Sequence, residues 1–215
     1  MLVVFDVDGV LVDIDSSWGK VLKQLDIQGS PNMPFYLRGE IGYYEFMLKD
    51  INLWKSKKKE VDIYFIKDVL SNVRIHPKAK NVVDELKKRG HEIALLSSGI
   101  SILVENVAKL LDIKYYLAND LTVDDQGKIV GGISRVPLLD KHLVLKLWAK
   151  RLGYGLNSIV YVGDSVFDIP VFRIVKVPIA VVDNTFLETK MKKYVLYVIK
   201  KSKLEEILEI PELRG

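Results

Sequence analysis

Short apolar runs separated by amphipathic helical patterns limit the fold of this chain more than any other feature of its sequence. β-Branched runs of this kind are typical of parallel strands that are buried on both faces. Between the runs, apolar residues recur three or four positions apart, and glycines follow these helical stretches. Strands that alternate with helices predict an α/β fold with a doubly wound, mostly parallel sheet. The predicted strands are residues 2–5, 92–96, 159–162 and 178–182.

Two segments depart from this alternation. Residues 14–75 have helical periodicity and many aromatic side chains, but no clear strand. Residues 121–133, with the sequence LTVDDQGKIVGGI, predict a β-hairpin with its turn at DDQG. We therefore expect a Rossmann-like core domain made of residues 1–13 and 76–215. A small helical cap domain, residues 14–75, is inserted after the first strand.

Composition excludes several classes of protein. The 215 residues include no cysteine, which excludes disulfides and thiolate zinc sites. No apolar run is long enough to cross a membrane and the N-terminus lacks the pattern of a signal peptide, so we expect a cytoplasmic protein without a membrane partner. The net charge of +4 suits an anionic ligand, but the basic residues are scattered and the lysine run at 55–59 predicts a solvated surface. Nucleic acid is therefore not expected as a partner, and a monomer and a homodimer both stay open.

Polar and acidic residues follow three of the predicted strands. DVDG at 6–9 follows the first strand, SSG at 97–99 the second and GDS at 163–165 the third, with Asp168 one turn later. In a doubly wound sheet these strand ends meet at one crevice, where ligands bind. A cluster of carboxylates needs a cation, and oxygen ligands without histidine or cysteine favour Mg²⁺ over zinc.

Two of these segments have simpler structural interpretations. The acidic residues between Asp6 and Asp15 could belong to a calcium loop, but the flanking helices, the glycine at the sixth position and the closing glutamate of an EF-hand are missing. Ser97, taken alone, is most simply an ordinary helix N-cap.

Lys141 stands at the predicted start of a helix that ends near Gly153. A cation at a helix N-terminus opposes the helix dipole, at a cost of about 0.3–1 kcal/mol. Either an anionic partner lies nearby or the lysine side chain bends away into solvent. If Lys141 serves catalysis, removing its ammonium should cripple turnover and cost little stability, because the unfavourable dipole interaction is relieved.

Four segments, taken in order, resemble the motifs of the haloacid dehalogenase superfamily of phosphohydrolases: FDVDGVLVD at 5–13, LLSSG at 95–99, Lys141 at a helix start and VGDSVFD at 162–168. Within the superfamily, the helical insertion and the hairpin segment LANDLTVDDQGKIVGG are similar to the phosphoserine phosphatase branch. The resemblance implies a phosphatase that hydrolyses phosphoric monoesters with Mg²⁺ as its cofactor.

The resemblance also implies a role for each carboxylate. Asp6 would be the nucleophile that attacks phosphorus and forms an aspartyl-phosphate, and Asp8 would protonate the leaving alkoxide and then deprotonate water. These tasks need opposite protonation states, which explains why two carboxylates lie two positions apart. Mg²⁺ would be held by Asp6, the backbone carbonyl of Asp8 and Asp164. Asp168 would support the metal directly or through water.

The phosphate group would be bound by residues from three of the motifs. Ser97 and Lys141 would neutralise and orient the phosphoryl oxygens. Backbone N–H groups around Val7, Gly9 and Ser98 would complete the phosphate site. In this context Ser97 becomes a phosphate ligand and not only a helix cap.

Some positions depart from the phosphoserine phosphatase branch. Phe167 replaces the asparagine that usually precedes the last aspartate of the fourth motif. Asp15 loosely matches the acidic substrate-binding residue that follows the first motif. The cap arginine that binds a substrate carboxylate falls near the apolar Leu48, so Arg38 is the candidate replacement. The expected substrate is a small phosphorylated metabolite, with phosphoserine as one candidate.

Two other classes of protein use similar residues. A signalling phospho-acceptor of the response-regulator kind also combines an aspartate, Mg²⁺, a hydroxyl and a lysine, but receivers are shorter and carry the acceptor on a later strand than the acidic pair. A catalytically silent phosphate-binding module is the other alternative. Catalytic release of phosphate from an aryl phosphate separates an enzyme from both.

Overall fold

A sheet with helices packed on both of its faces forms the frame of the protein. The computed structural model describes residues 1–58 and 61–214, and the elements named here are those of the described residues. The strands are β1 (Leu2–Phe5), β2 (Glu92–Ile100), β3 (Tyr115–Val123), β4 (Ile129–Ile133), β5 (Ile159–Gly163), β6 (Val177–Val181) and β7 (Tyr197–Ile199). The α-helices are α1 (Ser17–Gln24), α2 (Met33–Leu37), α3 (Tyr43–Lys57), α4 (Ile63–Ser71), α5 (Ala79–Lys88), α6 (Ser101–Leu110), α7 (Lys141–Arg151), α8 (Ile169–Phe172) and α9 (Thr185–Met191).

Strand β1 occupies the middle of the sheet. The order of strands is β4-β3-β2-β1-β5-β6-β7, and neighbouring strands are parallel except for β3 and β4. The chain winds outward from β1 through β2 and β3 on one side, and through β5, β6 and β7 on the other. The strand order therefore reverses at β1, and a ligand crevice lies beyond the carboxyl ends of β1, β2 and β5. The predicted α/β fold with a doubly wound, mostly parallel sheet is confirmed.

Alternate side chains of β1 enter two different hydrophobic layers. Val3 and Phe5 belong to a large cluster on one side of the sheet, and Leu2 and Val4 belong to a cluster on the other side. All four side chains are fully buried. Successive side chains of a strand face opposite ways, so a strand covered on both faces must be apolar throughout. The first carboxylate, Asp6, follows directly where this strand ends.

The structure extends two of the predicted strand segments and adds a strand that was not predicted. β2 continues to Ile100, beyond the predicted end at residue 96. β3 pairs in parallel with β2 from Tyr115 and antiparallel with β4 from Asp120, so the predicted hairpin is confirmed but its first strand begins earlier. β7 has only three residues, too few for a sequence pattern to predict it.

Helices α1 to α4 lie between β1 and β2 and form the predicted helical cap. The two segments that connect the cap to the core lie side by side, because Val12 pairs with Ile75 in an isolated antiparallel bridge. Cap side chains such as Trp54 belong to the same hydrophobic cluster as Phe5. That residues 14–75 form a domain of their own stays a prediction.

The lysine run near the end of α3 is mostly exposed where the structure describes it, although Lys55 is half-buried. Lys57 and Lys58 are both exposed, and Lys59 lies outside the described residues. Within residues 1–58 and 61–214, none of the helices is both long and apolar enough to cross a lipid bilayer.

Asn119 joins several parts of the fold at one fully buried point on β3. Its Nδ2 donates to the hydroxyl of Tyr43 at 3.0 Å and to the carbonyls of Ser98 and Val136 at 2.8 and 3.1 Å. Its Oδ1 accepts from the N–H groups of Arg135 and Val136 at 2.9 and 2.8 Å. Because buried polar groups need partners, this side chain ties the cap, β2 and the segment after β4 to β3.

We predict that Asn119→Ala lowers the free energy of unfolding by about 2–4 kcal/mol, because it leaves several buried donors and acceptors without partners. Urea denaturation followed by tryptophan fluorescence measures the difference. Asn52→Ala changes an exposed residue of α3 and is the control, with an expected change below about 0.5 kcal/mol. Equal losses in the two variants would contradict the structural role of Asn119.

Candidate active site

Three carboxylates meet beyond the carboxyl ends of β1 and β5. Asp6 follows β1 directly, Asp164 follows β5, and Asp168 lies one turn further along. Each carboxylate offers one oxygen, and these oxygens lie within 4.8 Å of one another. The parallel register of Phe5 with Val162 places the two strand ends side by side. The structure thus brings together three of the aspartates that the sequence predicts to cluster.

Lys141 is bonded directly to this cluster. It is the first residue of α7, and only 2% of its surface is exposed. Its Nζ donates to Asp6 Oδ2 at 2.5 Å, to Asp168 Oδ1 at 2.8 Å and to the hydroxyl of Tyr161 at 3.2 Å. Burial opposes the charge of the ammonium, but Asp168 and Asp6 raise the pKa of Lys141 above its usual value. The side chain does not bend into solvent, and the anions near this helix start are the two aspartates.

Asp168 is saturated with hydrogen bonds. Its Oδ1 accepts from Lys141 and, at 2.7 Å, from the hydroxyl of Tyr161. Its Oδ2 accepts from the N–H of Asp164 at 3.2 Å and from the N–H and hydroxyl of Ser165 at 3.1 and 3.0 Å. Burial favours protonation, but Lys141 outweighs it and the pKa of Asp168 is lowered. Asp168 therefore fixes the loop that carries Asp164, and its occupied lone pairs favour support of a metal through water over direct ligation.

Gly9 leaves the space that the Asp164 side chain occupies. A Cβ added at Gly9 would lie 1.9 Å from Oδ2 of Asp164, and the φ of Gly9 is +76°, which favours glycine. The N–H of Gly9 donates to the carbonyl of Ile14 at 2.7 Å. The predicted phosphate contact through this N–H does not agree with that hydrogen bond. Gly9 instead closes the turn that leads from β1 into the cap.

Asp8 is bonded to the first helix of the cap. Its Oδ2 accepts from the N–H and the hydroxyl of Ser17 at 2.6 and 2.8 Å. Its buried Oδ1 has no hydrogen-bond partner among the described residues. Burial raises the pKa of Asp8, and the two hydrogen bonds from Ser17 offset this only in part. The protonated form is therefore more favoured than at an exposed aspartate, which suits a general acid.

The carboxylate cluster has the donors and the charge that a divalent cation needs. Three carboxylates and one ammonium leave a net charge of −2. Burial raises the pKa of Asp6 to about 6 against the opposing effect of Lys141, and burial with Asp168 and Asp6 raises the pKa of Asp164 well above its usual value. A bound cation relieves such repulsion. No hydrogen bond from the described residues reaches the carboxylate of Asp164, and the all-oxygen donor set fits Mg²⁺.

The end of β2 brings the predicted serines to the same crevice. Ser97 is 1% exposed, and its Oγ accepts from the N–H of Gly99 at 3.0 Å. The buried hydroxyl of Ser98 has no hydrogen-bond partner among the described residues. Its carbonyl, however, accepts from Nε1 of Trp18 and the hydroxyl of Tyr43, each at 3.1 Å. The cap is therefore anchored to the backbone that follows Ser97.

A cavity of about 590 Å³ opens over these groups, between the core and the cap. A volume of this size suits a small metabolite. Asp15 and Phe167 lie in its wall, as do Ser97, Ser98 and Lys141. Arg38 does not line the cavity, because its guanidinium pairs with Glu40 at 2.5 Å on the exposed surface of the cap. Arg38 is therefore not in a position to replace a cap arginine in this structure.

Sequence reasoning missed two hydroxyl groups that hold the site together. Tyr161 lies within β5, where its ring packs edge-on against Phe172 and its hydroxyl donates to Asp168. A tyrosine in an otherwise aliphatic strand is a usable signal, since a buried phenol needs a partner. Ser17 offers no comparable signal, because its contact with Asp8 depends on how the cap packs.

Comparison with known proteins assigns the family. A model of the haloacid dehalogenase-like hydrolases matches residues 3–173 of this chain. The chain belongs to this family. As a haloacid dehalogenase-like protein related to phosphoserine phosphatases, it is a phosphatase, and the receiver and silent-module alternatives are set aside.

Several relatives of this haloacid dehalogenase-like protein are named phosphoserine phosphatases. The one from Methanocaldococcus jannaschii is 26% identical over 212 residues, which cover 97% of this chain and 96% of the relative. The one from Archaeoglobus fulgidus is 26% identical over 171 residues, or 78% of this chain, and the chain spans only 48% of that relative. A histidinol-phosphatase from Neisseria meningitidis is 23% identical over 210 residues, which cover 89% of this chain and 95% of the relative.

Solved structures agree with these sequence relatives. A phospho-aspartyl intermediate analogue of phosphoserine phosphatase is 26% identical, has a TM-score of 0.77 and is matched over 97% of both chains. A substrate-bound phosphoserine phosphatase complex is 25% identical, also has a TM-score of 0.77 and is matched over 97% of this chain and 96% of its own. The resemblance to the phosphoserine phosphatase branch, expected from the motifs, is confirmed.

Because Lys141 is buried among carboxylates, we predict that Lys141→Ala destabilises this haloacid dehalogenase-like protein by about 3 kcal/mol in the absence of Mg²⁺. The burial and the two ion pairs overturn the expectation that this substitution costs little stability. Relief of the helix dipole, about 0.3–1 kcal/mol, is smaller than the effect of two uncompensated buried carboxylates. Urea denaturation in excess chelator at neutral pH measures the change.

The control for this experiment is Lys146→Ala, which removes an exposed lysine from the same helix. Its stability should stay within about 0.5 kcal/mol of the wild type. Added Mg²⁺ should restore part of the stability lost in Lys141→Ala, because a divalent cation compensates the same carboxylates. Identical unfolding curves for the two variants would show that the ion pairs of Lys141 do not stabilise the core.

Proposed function

We propose that this phosphatase hydrolyses a small phosphorylated metabolite in a Mg²⁺-dependent reaction that passes through an aspartyl-phosphate on Asp6. The observation that carries the proposal is the difference between the surroundings of Asp6 and Asp8. Asp6 is paired with the ammonium of Lys141, whereas Asp8 is bonded to Ser17 and keeps one buried oxygen free. Burial raises the pKa of both carboxyls, so the division into a nucleophile and a general acid rests on their different partners and on a cation that keeps Asp6 ionised.

In the first half-reaction, an oxygen of Asp6 bonds to phosphorus as the ester bond to the alcohol breaks. Lys141 and the N–H of Val7, which donates to Asp6 Oδ1 at 2.7 Å, hold the carboxylate in one orientation. Asp8 gives its proton to the leaving alkoxide, so the alcohol leaves as a neutral molecule.

In the second half-reaction, the ionised Asp8 takes a proton from a water molecule as the water oxygen attacks phosphorus. The bond between phosphorus and Asp6 breaks, inorganic phosphate leaves, and Asp8 has regained its proton. Ser17 donates both of its hydrogen bonds to Oδ2 of Asp8. This arrangement leaves Oδ1 as the oxygen of Asp8 without a hydrogen-bond partner among the described residues.

The phosphoryl group would be bound by Ser97, Lys141 and backbone N–H groups next to Val7 and Ser98, since the N–H of Val7 itself is bonded to Asp6. Both serines and the lysine line the cavity, and the lysine ammonium already lies against the nucleophile. Donors fixed in this way stabilise charge that develops on the phosphoryl oxygens without moving during the reaction.

Mg²⁺ would be held by Asp6, the backbone carbonyl of Asp8 and Asp164, with Asp168 behind them. The unpartnered carboxylate of Asp164 and the residual charge of −2 support this assignment. When bound, the ion supplies a positive charge that neutralises phosphoryl oxygens and keeps the nucleophile ionised. Asp168 holds the loop of Asp164 and does not need to bind the ion itself.

Phosphoserine is the first substrate to test, because several relatives carry its phosphatase in their names. The cavity volume of about 590 Å³ suits a molecule of that size. We also propose a cytoplasmic location. A monomer and a homodimer are both compatible with the site, which one chain builds from its own residues.

We predict that the wild-type protein releases phosphate from p-nitrophenyl phosphate with Mg²⁺ and loses this activity in excess chelator. Asp6→Asn should lower kcat by a factor of about 10³ or more, because it removes the nucleophile and a metal ligand while it conserves shape. Asp13→Asn, at an exposed aspartate of the same segment, is the control and should stay near the wild-type rate. Full activity of Asp6→Asn would refute the proposed nucleophile.

A second prediction separates the acid from the nucleophile. Asp8→Asn should lower kcat/KM for alkyl phosphates by about 10²–10⁴, because an alkoxide leaves slowly without a proton. For p-nitrophenyl phosphate the loss should be at least about tenfold smaller, because nitrophenolate needs little protonation to leave. Steady-state assays with both substrates decide the point. Equal losses on the two substrates would mean that Asp8 is not the general acid.

A further inference from the structure

The part of the cavity wall that the cap contributes contains a buried carboxylate with no cation beside it. Asp50 lies on α3, is 2% exposed and lines the cavity. Its Oδ1 accepts from the hydroxyl of Ser30 at 2.6 Å and from Nδ2 of Asn32 at 2.7 Å. No hydrogen bond from the described residues reaches its Oδ2, and no lysine or arginine among them pairs with it. A buried carboxylate in this state still lacks a partner for its charge.

The remaining charges of the cavity wall do not offset this carboxylate. Among the described residues that line the cavity, Lys141 is the one lysine or arginine, and its ammonium is already bonded to Asp6 and Asp168. Lys20 and Lys23 line an adjoining groove and not this cavity. The aspartates that line the cavity are Asp6, Asp8, Asp15, Asp50 and Asp164. A carboxylate on a substrate would find no free cation here, whereas an ammonium would find an anion.

Aromatic side chains complete the surroundings of Asp50. Trp18, Tyr43 and Phe46 line the same cavity, and the rings of Tyr43 and Phe46 meet edge-on with centroids 5.9 Å apart. The negative face of an aromatic ring attracts a cation through the ring quadrupole. The hydroxyl of Tyr43 is bonded to the carbonyl of Ser98, which fixes this ring next to the phosphate-binding segment.

Tyr43 and Asp50 lie seven residues apart on α3, which is two helical turns or about 10 Å along the helix. Both side chains line the cavity, so they face it from the same side of this helix. Because the hydroxyl of Tyr43 is bonded to the carbonyl of Ser98, the cavity wall runs from the phosphate-binding segment to Asp50. A substrate with its phosphate at the carboxylate cluster can therefore extend toward Asp50 within one cavity.

We propose that Asp50 selects phosphomonoesters of amino alcohols, which carry a cationic nitrogen and no carboxylate. An ammonium at Asp50 Oδ2 would complete a buried ion pair whose other oxygen is already held by Ser30 and Asn32. Burial without a cation raises the pKa of Asp50, and Ser30 and Asn32 offset this only in part. The inference rests on the proposed function, because it names the substrate class of that same site.

Four small phosphomonoesters test the inference on the wild-type enzyme with Mg²⁺. Phosphoethanolamine carries an ammonium, 3-phosphooxypropanoate a carboxylate, phosphoserine both groups and ethyl phosphate neither. We expect kcat/KM for phosphoethanolamine to exceed that for ethyl phosphate by about 30-fold, the effect of one buried charge pair. A carboxylate on the substrate should lower kcat/KM. We therefore expect a lower kcat/KM for phosphoserine than for phosphoethanolamine, and a lower kcat/KM for 3-phosphooxypropanoate than for ethyl phosphate.

A variant assigns this preference to Asp50. Asp50→Asn conserves the size of the side chain and an oxygen that accepts from Ser30 and Asn32, but removes the charge. The ratio of kcat/KM for phosphoethanolamine to that for ethyl phosphate should fall about 30-fold, to near one. Glu45→Gln removes a charge from an exposed position of the same helix and should keep the wild-type ratio.

Each result decides the inference. The inference is overturned if p-nitrophenyl phosphate is hydrolysed but phosphoethanolamine is not preferred over ethyl phosphate. It is also overturned if phosphoserine has a higher kcat/KM than phosphoethanolamine, or if Asp50→Asn keeps the wild-type ratio of kcat/KM for phosphoethanolamine to that for ethyl phosphate. Those results leave the proposed function intact. Absence of turnover on every phosphomonoester, including p-nitrophenyl phosphate, would refute the proposed function and this inference with it. If Asp50→Asn does not fold, the wild-type series decides alone.

Discussion

The ammonium of Lys141, buried against Asp6 and Asp168, is the interaction on which the rest of the site depends. Carboxylates buried this close together repel one another unless a cation lies among them. Lys141 comes from α7, Asp6 from the end of β1 and Asp168 from the turn after β5, so one group of ion pairs joins three elements far apart in the chain. The charge that it leaves uncompensated is the basis of the proposed Mg²⁺ site.

The cap does more than cover this site. The N–H and hydroxyl of Ser17 hold the carboxyl of Asp8, and Trp18 and Tyr43 both donate to the carbonyl of Ser98. The segment that lines the cavity from the cap side therefore also positions the proposed acid and the end of β2. A shift of the cap would change the surroundings of the acid and the shape of the cavity together.

The cavity wall offers opposite charge to the two ends of a small substrate. Near β1, Lys141 and the hydroxyl of Ser97 suit a phosphoryl group with its metal ion. On the cap side, Asp50 and the aromatic rings suit a cation. The proposed chemistry depends on the first set and the proposed selectivity on the second, because only the groups near β1 touch the reacting atoms.

Local sequence by itself determined the order of the apolar strands and therefore which polar segments could meet at the site. Parallel strands end at one edge of the sheet, so residues after an apolar run can be placed from chain order alone. This reasoning found Asp6, Asp8, Ser97, Asp164 and Asp168, whereas Lys141 was found from its position at a predicted helix start. Only the tertiary structure decided what these groups contact. It showed that the N–H of Gly9 and the guanidinium of Arg38 already have partners. It also added Ser17, Asp50 and Tyr161 to the site. Burial and hydrogen-bond partners depend on which elements pack together, and spacing along the chain does not specify that.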